Sequence, residues 1–404
     1  MNRVNTIFLL FLTSLISISV PVKSEETHNA TEIPRIEVVT SIPVETTLKG
    51  AGTRRAADVW IEMIDSAKRS LDFAEFYIIS KKNEPLEPVI KALKSASNRG
   101  VKIRFLIDKK MLHISTPLVK RLNKIQNLKF RIFDWKDLTG GIIHAKYFIA
   151  DERTAFIGSQ NFDWRAIKHI HETGLKIIDP GVVGNLTRIF EADWRYNGGD
   201  KNAYDFKNGG PEILSSPDAI LTASPAGYNP PGVGSSIKMI KDLINKSEKK
   251  ITLQLLNYKT QIYDSEKEFT ELYNVMKKAA GRGVELEVAV SDWNLKKPGI
   301  NSIKDLASVK GIVVKVFSIP EHSKGFIPYA RVIHSKVLRV DENVSMISTS
   351  NWGHGYFYGS RNVEVTIRSK RIAVILDKLF RELWNSEYGS FLDPAKEYIP
   401  RKTH

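Results

Sequence analysis

Two segments of the chain carry the same reactive side chains at the same spacing. A His, a Lys and an Asp stand at positions i, i+2 and i+7 of each segment, and the two sets are His144, Lys146 and Asp151, then His334, Lys336 and Asp341. Residues i and i+2 of a strand point to the same face, so each imidazole projects beside an ammonium group. The ammonium can neutralise a phosphate oxygen, and the imidazole, which titrates near neutral pH, can act as nucleophile or proton donor.

One copy of this pattern predicts phosphate binding only. Two copies facing each other would place an imidazole on each side of one phosphorus atom, which is the arrangement that an in-line displacement needs. A turn of small polar residues follows each copy. Its hydroxyl and amide groups are candidates to donate hydrogen bonds to the same phosphate: Ser159, Asn161, Thr349 and Asn351.

The elements that position these residues are also repeated along the chain. A helix-like stretch, an apolar strand, a helix ending at Gly and a β-branched strand occur in the same order in both halves. Corresponding landmarks keep a nearly constant separation along the chain, and the pairs are Leu71 and Ile251, Gly100 and Gly283, and His144 and His334. Strands alternating with helices predict α/β/α lobes, each a mixed sheet flanked by helices. The duplication predicts two pseudo-symmetric lobes of this kind with the active site at their interface.

The N-terminal segment has the pattern of an export signal. Arg3 precedes an apolar run over residues 7–20, which is shorter than the roughly 20 residues that a membrane-spanning helix needs. We therefore expect a cleaved signal peptide and a secreted or envelope-lumenal protein, with an uncleaved membrane anchor as the alternative. The predicted regions are a signal peptide 1–24, a polar leader 25–50, a first lobe 51–202, a connector 203–235, a second lobe 236–395 and a tail 396–404.

Composition limits the chemistry and the partners. The 404 residues include 60 Lys and Arg against 45 Asp and Glu, a formal net charge of +15, which favours an anionic partner such as nucleic acid or a phospholipid surface. The chain has no Cys, which excludes disulfides, a Cys nucleophile and a thiolate metal site. Catalysis must therefore use His, Lys, carboxylates and hydroxyls.

The paired His-x-Lys-x4-Asp segments resemble the signature of the phospholipase D superfamily, and the likeness extends over roughly residues 55–390. Further segments resemble the branch that contains the animal endolysosomal exonucleases, which degrade single-stranded DNA and RNA from the 5′ end, and poxvirus envelope relatives. These segments are Thr139 to His144, Gly158 to Arg165, Ile327 to Val332 and Thr349 to Trp352.

The resemblance implies phosphodiester cleavage in two steps without a metal or another cofactor. By analogy His144 is expected to be the nucleophile that forms a phosphohistidine, and His334 the acid and base. Lys146, Lys336, Asn161 and Asn351 would hold the phosphoryl oxygens. A carboxylate should hold the second nitrogen of each imidazole, and the candidates are Glu172 and Glu364. Asp151 and Asp341 complete the signature and are interpreted as bracing their strands.

The substrate remains open between two phosphodiesters. Single-stranded nucleic acid is favoured by the branch resemblance and by the positive charge. The alternative is a phospholipase D acting on glycerophospholipids, for which the Gly325–Tyr329 loop would make transient contact with a membrane surface. A third hypothesis is an inactive polyanion-binding protein. Four tryptophans near strand ends are interpreted as core residues more than as base-stacking platforms: Trp135, Trp164, Trp293 and Trp352.

Overall fold

Each half of the chain folds around its own mixed β-sheet. A computed structural model describes residues 35–206 and 216–403. The predicted signal peptide 1–24, residues 25–34 of the predicted leader and residues 207–215 of the predicted connector lie outside the described residues.

The first lobe is built on an eight-stranded sheet of order β2-β1-β10-β8-β7-β3-β5-β6, with β4 and β9 paired separately. Its strands are β1 (Ile36–Ser41), β2 (Arg54–Arg55), β3 (Ser70–Glu75), β4 (Ile78–Ile79), β5 (Lys102–Asp108), β6 (Leu128–Phe133), β7 (Lys146–Ala150), β8 (Thr154–Gly158), β9 (Phe162–Asp163) and β10 (Glu172–Ile177). Its helices are α1 (Ala56–Ser66), α2 (Leu86–Asn98), α3 (Leu112–Leu122), α4 (Trp164–Lys168) and α5 (Pro180–Tyr196).

The second lobe repeats this order and adds one edge strand, giving β12-β11-β18-β17-β16-β13-β14-β15-β19. Its strands are β11 (Ala219–Ser224), β12 (Gly234–Ser235), β13 (Lys250–Leu255), β14 (Glu285–Ser291), β15 (Ile312–Phe317), β16 (Val337–Val340), β17 (Val344–Ser348), β18 (Asn362–Arg368) and β19 (Gly389–Phe391). Its helices are α6 (Ser236–Asn245), α7 (Glu271–Gly281), α8 (Gly299–Ala307), α9 (His354–Tyr358) and α10 (Lys370–Trp384).

Local sequence explains the repeated helix-to-strand transitions. Gly100 and Gly283 follow α2 and α7 with φ of +90° and +92°, the left-handed region that glycine adopts without steric cost. Helix α10 begins at Lys370 after Ser369, whose hydroxyl accepts from the Ile372 N–H. Apolar residues then recur at helical spacing along α10 and form its buried face.

The closing helix of each lobe packs against the other lobe. Helix α5 lies on β11 of the second sheet, and α10 lies on β1 of the first. The apolar residues of both helices and of both sheets form one continuous core between the lobes. Two further cores lie under α1 and α2 and under α6, α7 and α8. The predicted α/β class with two pseudo-symmetric lobes is confirmed, and because a core joins them the lobes hold a fixed relation.

Three predicted limits differ from the observed elements. Residues 36–41, assigned to the polar leader, form a strand that pairs antiparallel with β10 and is buried at nearly every position. Residues 219–224, assigned to the connector, form β11 in the second sheet. In the predicted tail, Arg401 donates to the Ile319 carbonyl oxygen at 2.9 Å. The first two runs are short strands bounded by Pro and Ser, so their apolar pattern is too brief to stand out.

Within the described residues, no helix combines the length and the apolar character that crossing a bilayer requires.

Candidate active site

The two signature segments enter the interface between the lobes by reciprocal backbone pairing. The His144 and Ala145 N–H groups both donate to the Arg361 carbonyl oxygen, each at 2.9 Å. In the other lobe the His334 and Ser335 N–H groups donate to the His171 carbonyl oxygen at 2.9 and 3.2 Å. Each reactive histidine is therefore positioned by a strand end of the opposite lobe.

The next residue of that strand end holds the imidazole ring itself. Glu172, which follows His171, has its Oε2 at 2.8 Å from His334 Nδ1. Asn362, which follows Arg361, has its Oδ1 at 3.1 Å from His144 Nδ1. Since both partners accept through oxygen, each ring carries its proton on Nδ1 and keeps Nε2 for chemistry.

Both imidazoles line one cavity of about 450 Å³. Asn161 and Asn351, predicted to bind phosphate, also line it. Much of the remaining wall is aromatic or aliphatic, and its residues are Phe76, Tyr77, Ile170, Leu256, Trp293, Tyr329, Val332 and Tyr356. The cavity thus combines a small polar centre with an apolar surround.

The two signature lysines lie behind the rings and are fully buried. Lys336 Nζ donates to the His334 carbonyl oxygen at 2.6 Å, and Lys146 Nζ donates to the His144 carbonyl oxygen. Burial lowers the pKa of Lys146 to about 7, although the carboxylates of Glu75 and Glu172 act in the opposite direction. Burial also places the pKa of Lys336 well below its ordinary value, against the attraction of Glu172.

Burial governs the remaining ionisable groups of the site. It lowers the pKa of His144 well below its ordinary value, and the charges of Lys146 and Lys336 add to that effect. The pKa of His334 is lowered by burial and by the same two lysines. Burial raises the pKa of Glu172 to about 7, with Lys336 acting to lower it. An anionic substrate would restore the charged forms of both lysines and of one imidazole.

Ser159 and Thr349 lie behind the cavity wall. Thr349 Oγ1 donates to Asn362 Oδ1 at 3.0 Å and accepts from the Val363 N–H at 3.1 Å. Ser159 Oγ exchanges hydrogen bonds with the backbone of Thr173, at 3.1 and 3.2 Å. These hydroxyls brace the strands that carry Asn362 and Glu172, so the prediction that they contact phosphate is replaced by a supporting role.

The two signature aspartates hold turns at the far ends of their strands. Asp151 accepts from the N–H groups of residues 68, 69 and 70 at 2.7–2.9 Å, and Asp341 from those of residues 248, 249 and 250 at 2.8–3.1 Å. Burial raises the pKa of Asp151, but the three N–H donors outweigh it and leave that pKa below its ordinary value. Both residues brace structure and do not line the cavity.

Glu364 does not orient a histidine, which corrects the prediction for that residue. Its carboxylate accepts from Ser236, Ser348 and Ser350, the last at 2.6 Å. Asn362 follows His334 at the same separation in sequence at which Glu172 follows His144. Counting from the histidines would have identified Asn362. The search for a carboxylate selected Glu364, which stands just beyond it.

Aromatic residues near the site were mostly missed by the sequence. The Phe76 and Tyr356 rings lie 5.2 and 4.9 Å from the His144 ring, centroid to centroid. Of the four tryptophans considered, Trp135, Trp164 and Trp352 are buried core residues and only Trp293 lines the cavity. Phe76 and Tyr356 follow a strand end or lie in a short helix, where sequence pattern does not separate wall from core.

Comparison with known proteins decides the family. The model described as "Cardiolipin synthase, PLD-like domain" matches residues 60–194 and 240–384, more than half of the chain and one copy in each lobe. The chain belongs to the phospholipase D superfamily. It is accordingly a phosphoric diester hydrolase, and each family segment carries one His-x-Lys pair of the cavity just described.

Relatives of this superfamily protein carry two kinds of name. The chain is 25% identical to phospholipase D Y of Dictyostelium discoideum over 95% of this chain and 98% of that protein. It is 26% identical to the 5′-3′ exonuclease PLD3 of Rattus norvegicus over 90% of this chain and 81% of that protein. The solved phosphatidylserine synthase of Haemophilus influenzae has the same fold, with a TM-score of 0.61 at 12% identity over 83% of this chain and 85% of that one.

Proposed function

We propose that this protein cleaves phosphodiesters of single-stranded nucleic acid through a covalent phosphohistidine, without a metal ion. The observation that carries the proposal is the pair of imidazoles on one cavity, each with Nδ1 engaged and Nε2 available. One Nε2 attacks phosphorus and the other supplies a proton to the leaving oxygen. Lys146, Lys336, Asn161 and Asn351 provide donors for the phosphoryl oxygens.

The nucleic-acid substrate is supported by the walls of the cavity and by charge. Five aromatic side chains line the cavity beside the imidazoles: Phe76, Tyr77, Trp293, Tyr329 and Tyr356. Aromatic faces stack on nucleobases of any sequence, each stack being worth about 1–3 kcal/mol. The formal net charge of +15 favours a polyanion. The similarity to a protein named as a 5′-3′ exonuclease agrees with this substrate.

A glycerophospholipid is the second candidate, favoured by the loop at the mouth of the cavity. Phe326 and Tyr329 lie in the same Gly325–Tyr329 loop and are 38% and 47% exposed. Such residues insert into the interfacial region of a bilayer when an enzyme acts on lipid. The similarity to a protein named phospholipase D Y is consistent with this alternative.

The deciding experiment offers both substrates to the purified protein in the presence of EDTA. End-labelled single-stranded DNA and phosphatidylcholine vesicles are incubated separately, and nucleotides and choline are measured. We expect nucleotide release without choline release; choline release alone would select the phospholipid, and binding of DNA with neither product would indicate the inactive polyanion-binding protein.

Histidine variants provide the control for the shared site. H144A and H334A are each expected to lose nearly all activity, because general acid–base and nucleophilic steps are separately required. The matched control is H322A, since His322 pairs with Glu45 at 3.2 Å away from the cavity and its loss should leave cleavage intact. Full activity in H144A or H334A would refute the two-histidine mechanism.

We also propose that the protein is exported with cleavage after residue 24, supported by the short apolar run behind Arg3. N-terminal sequencing of the mature protein from producing cells should begin at Glu25. Recovery of the intact N-terminus in the membrane fraction would indicate the anchored alternative.

A further inference from the structure

We propose that His334 is the nucleophile and His144 the general acid, with Glu172 as the residue that positions and activates His334. This assignment rests on the proposed two-histidine phosphodiester cleavage and reverses the order expected from resemblance. The observation that carries it is a difference between two equivalent positions of the site. The carboxylate of Glu172 holds the His334 ring, whereas the neutral amide of Asn362 holds the His144 ring.

The two steps make opposite demands on an imidazole. Attack at phosphorus places a positive charge on the ring of the phosphohistidine, and a carboxylate on Nδ1 stabilises that charge while raising the basicity of Nε2. Glu172 lies at 2.8 Å from His334 Nδ1 and is fully buried, so its interaction is poorly screened. Proton donation is easier from a ring without such a partner, and Asn362 supplies only an amide oxygen to His144.

Aromatic contacts also distinguish the two rings. The Phe76 ring lies 5.2 Å from the His144 ring in a tilted arrangement, and the Tyr356 ring lies 4.9 Å from it in an edge-type arrangement. Among the ring contacts of the described residues, His334 has no comparable neighbour. His144 is thus the more closely enclosed ring, and its assignment as the acid rests on the neutral partner of its Nδ1.

Two displacements at phosphorus complete the reaction. His334 Nε2 gives its lone pair to phosphorus, the bond from phosphorus to the leaving oxygen breaks, and that oxygen takes the Nε2 proton of His144. His144 Nε2 then removes a proton from water, the water oxygen bonds to phosphorus, and the nitrogen–phosphorus bond returns its electrons to His334. The products are an alcohol and a phosphomonoester.

The assignment is tested with bis(p-nitrophenyl) phosphate, whose leaving group departs without a proton donor. H144A should release one equivalent of p-nitrophenolate per protein in a burst and then stall, and mass spectrometry should find the phosphoryl adduct on residue 334. H334A should give neither burst nor adduct. An adduct on His144 in H334A, or no burst in H144A, would overturn the assignment. Absence of wild-type turnover would instead contradict the proposed function.

The role of Glu172 is tested by the burst rate in the H144A background. E172Q should slow the burst by at least about a hundredfold, the scale of a lost base partner, and E172D should recover part of the rate. E364Q is the matched control, because Glu364 is another fully buried carboxylate that contacts only serines. Equal burst rates in E172Q and E364Q would reduce Glu172 to a structural group. The adduct mapping stands even if E172Q does not fold.

Discussion

An imidazole acquires its chemical role from whatever holds its second nitrogen. In this site the holding atoms come from equivalent positions of a duplicated chain, yet one is a carboxylate oxygen and the other an amide oxygen. The signature histidines have nearly the same sequence context, so the difference arises further along each half, at Glu172 and Asn362. Substitution of Glu172 or Asn362 should therefore change the pKa of an imidazole without replacing the histidine.

Asn362→Asp should move the pH dependence of catalysis. Cleavage needs His144 protonated, so activity falls as pH rises through the pKa of that ring in the complex. The pKa of His144 is lowered by burial and by Lys146 and Lys336, while Glu75 and Glu172 face those lysines. An added carboxylate favours the charged ring and raises its pKa, so the alkaline limb of the kcat profile should shift to higher pH. An unshifted limb would contradict the assigned acid.

Asp151→Ala should reduce stability and leave chemistry nearly unchanged. The carboxylate satisfies three backbone N–H groups, and losing it should lower the free energy of unfolding by about 1–2 kcal/mol, since water replaces part of these bonds. The folded pKa lies below the unfolded value, so this contribution is present near neutral pH and is lost as pH falls through the folded pKa. Urea titrations at several pH values would measure it; a large loss of kcat would refute the bracing role.

Sequence could assign the signature residues at this scale because their side chains are chemically distinctive. It could not distinguish a carboxylate that orients a histidine from one that only packs beside serines. Gln160 lies against Gly174 in the first lobe, whereas Ser350 and Glu364 occupy the equivalent positions in the second. A glutamate that fills packing space beside serines looks like an orienting carboxylate when only residue type is visible.

At the scale of elements, contact between the loop of residues 139–142 and the loop of residues 359–361 sets the position of His144. Thr139 Oγ1 donates to the Gly359 carbonyl oxygen at 2.6 Å, and the Arg361 N–H donates to the Ile142 carbonyl oxygen at 2.9 Å. Arg361 is anchored in turn by a buried ion pair with Asp193 at 3.0 Å. The repeat predicted the strands on either side, but pairing between lobes joins residues that are distant in sequence and that no local pattern relates.

Gly141→Ala should disturb the contact between these two loops. A Cβ at residue 141 would lie 1.8 Å from the Gly359 carbonyl oxygen, so one backbone must move. We expect a loss of about 1–3 kcal/mol in unfolding free energy together with a lower kcat, because the Arg361 carbonyl shifts relative to His144. Gly227→Ala is the control, since nothing lies within 4 Å of a Cβ there. Similar behaviour of the two variants would show that the close approach is dispensable.

At the scale of the molecule, the chain end supports the mouth of the cavity. The Thr403 carbonyl oxygen accepts from the Tyr329 N–H at 2.9 Å, and Thr403 Oγ1 accepts from Lys296 Nζ at 2.8 Å. Tyr329 and Trp293 are wall residues of the cavity. Sequence pattern assigned residues 396–404 to a tail outside the second lobe, because hydrogen bonds made by a backbone carbonyl leave no trace in residue type.

Ending the chain after Pro400 should weaken substrate binding more than chemistry. Without residues 401–404 the loop bearing Tyr329 loses one of its attachments, so KM for single-stranded DNA should rise. The imidazoles are held from other strands, so kcat should change little. Steady-state kinetics on the truncated protein would measure both constants. A fall in kcat with constant KM would place the tail in a different role.

The crossed attachment of the two histidines has a consequence during synthesis. The first half of the chain leaves the ribosome before Asn362 is translated. Until then the His144 ring lacks the amide oxygen that holds its Nδ1. Glu172 is translated before His334, and the two side chains come into contact only when the two lobes associate. We therefore expect a partly synthesised chain to leave phosphodiesters uncleaved, and activity to appear only when both lobes are complete.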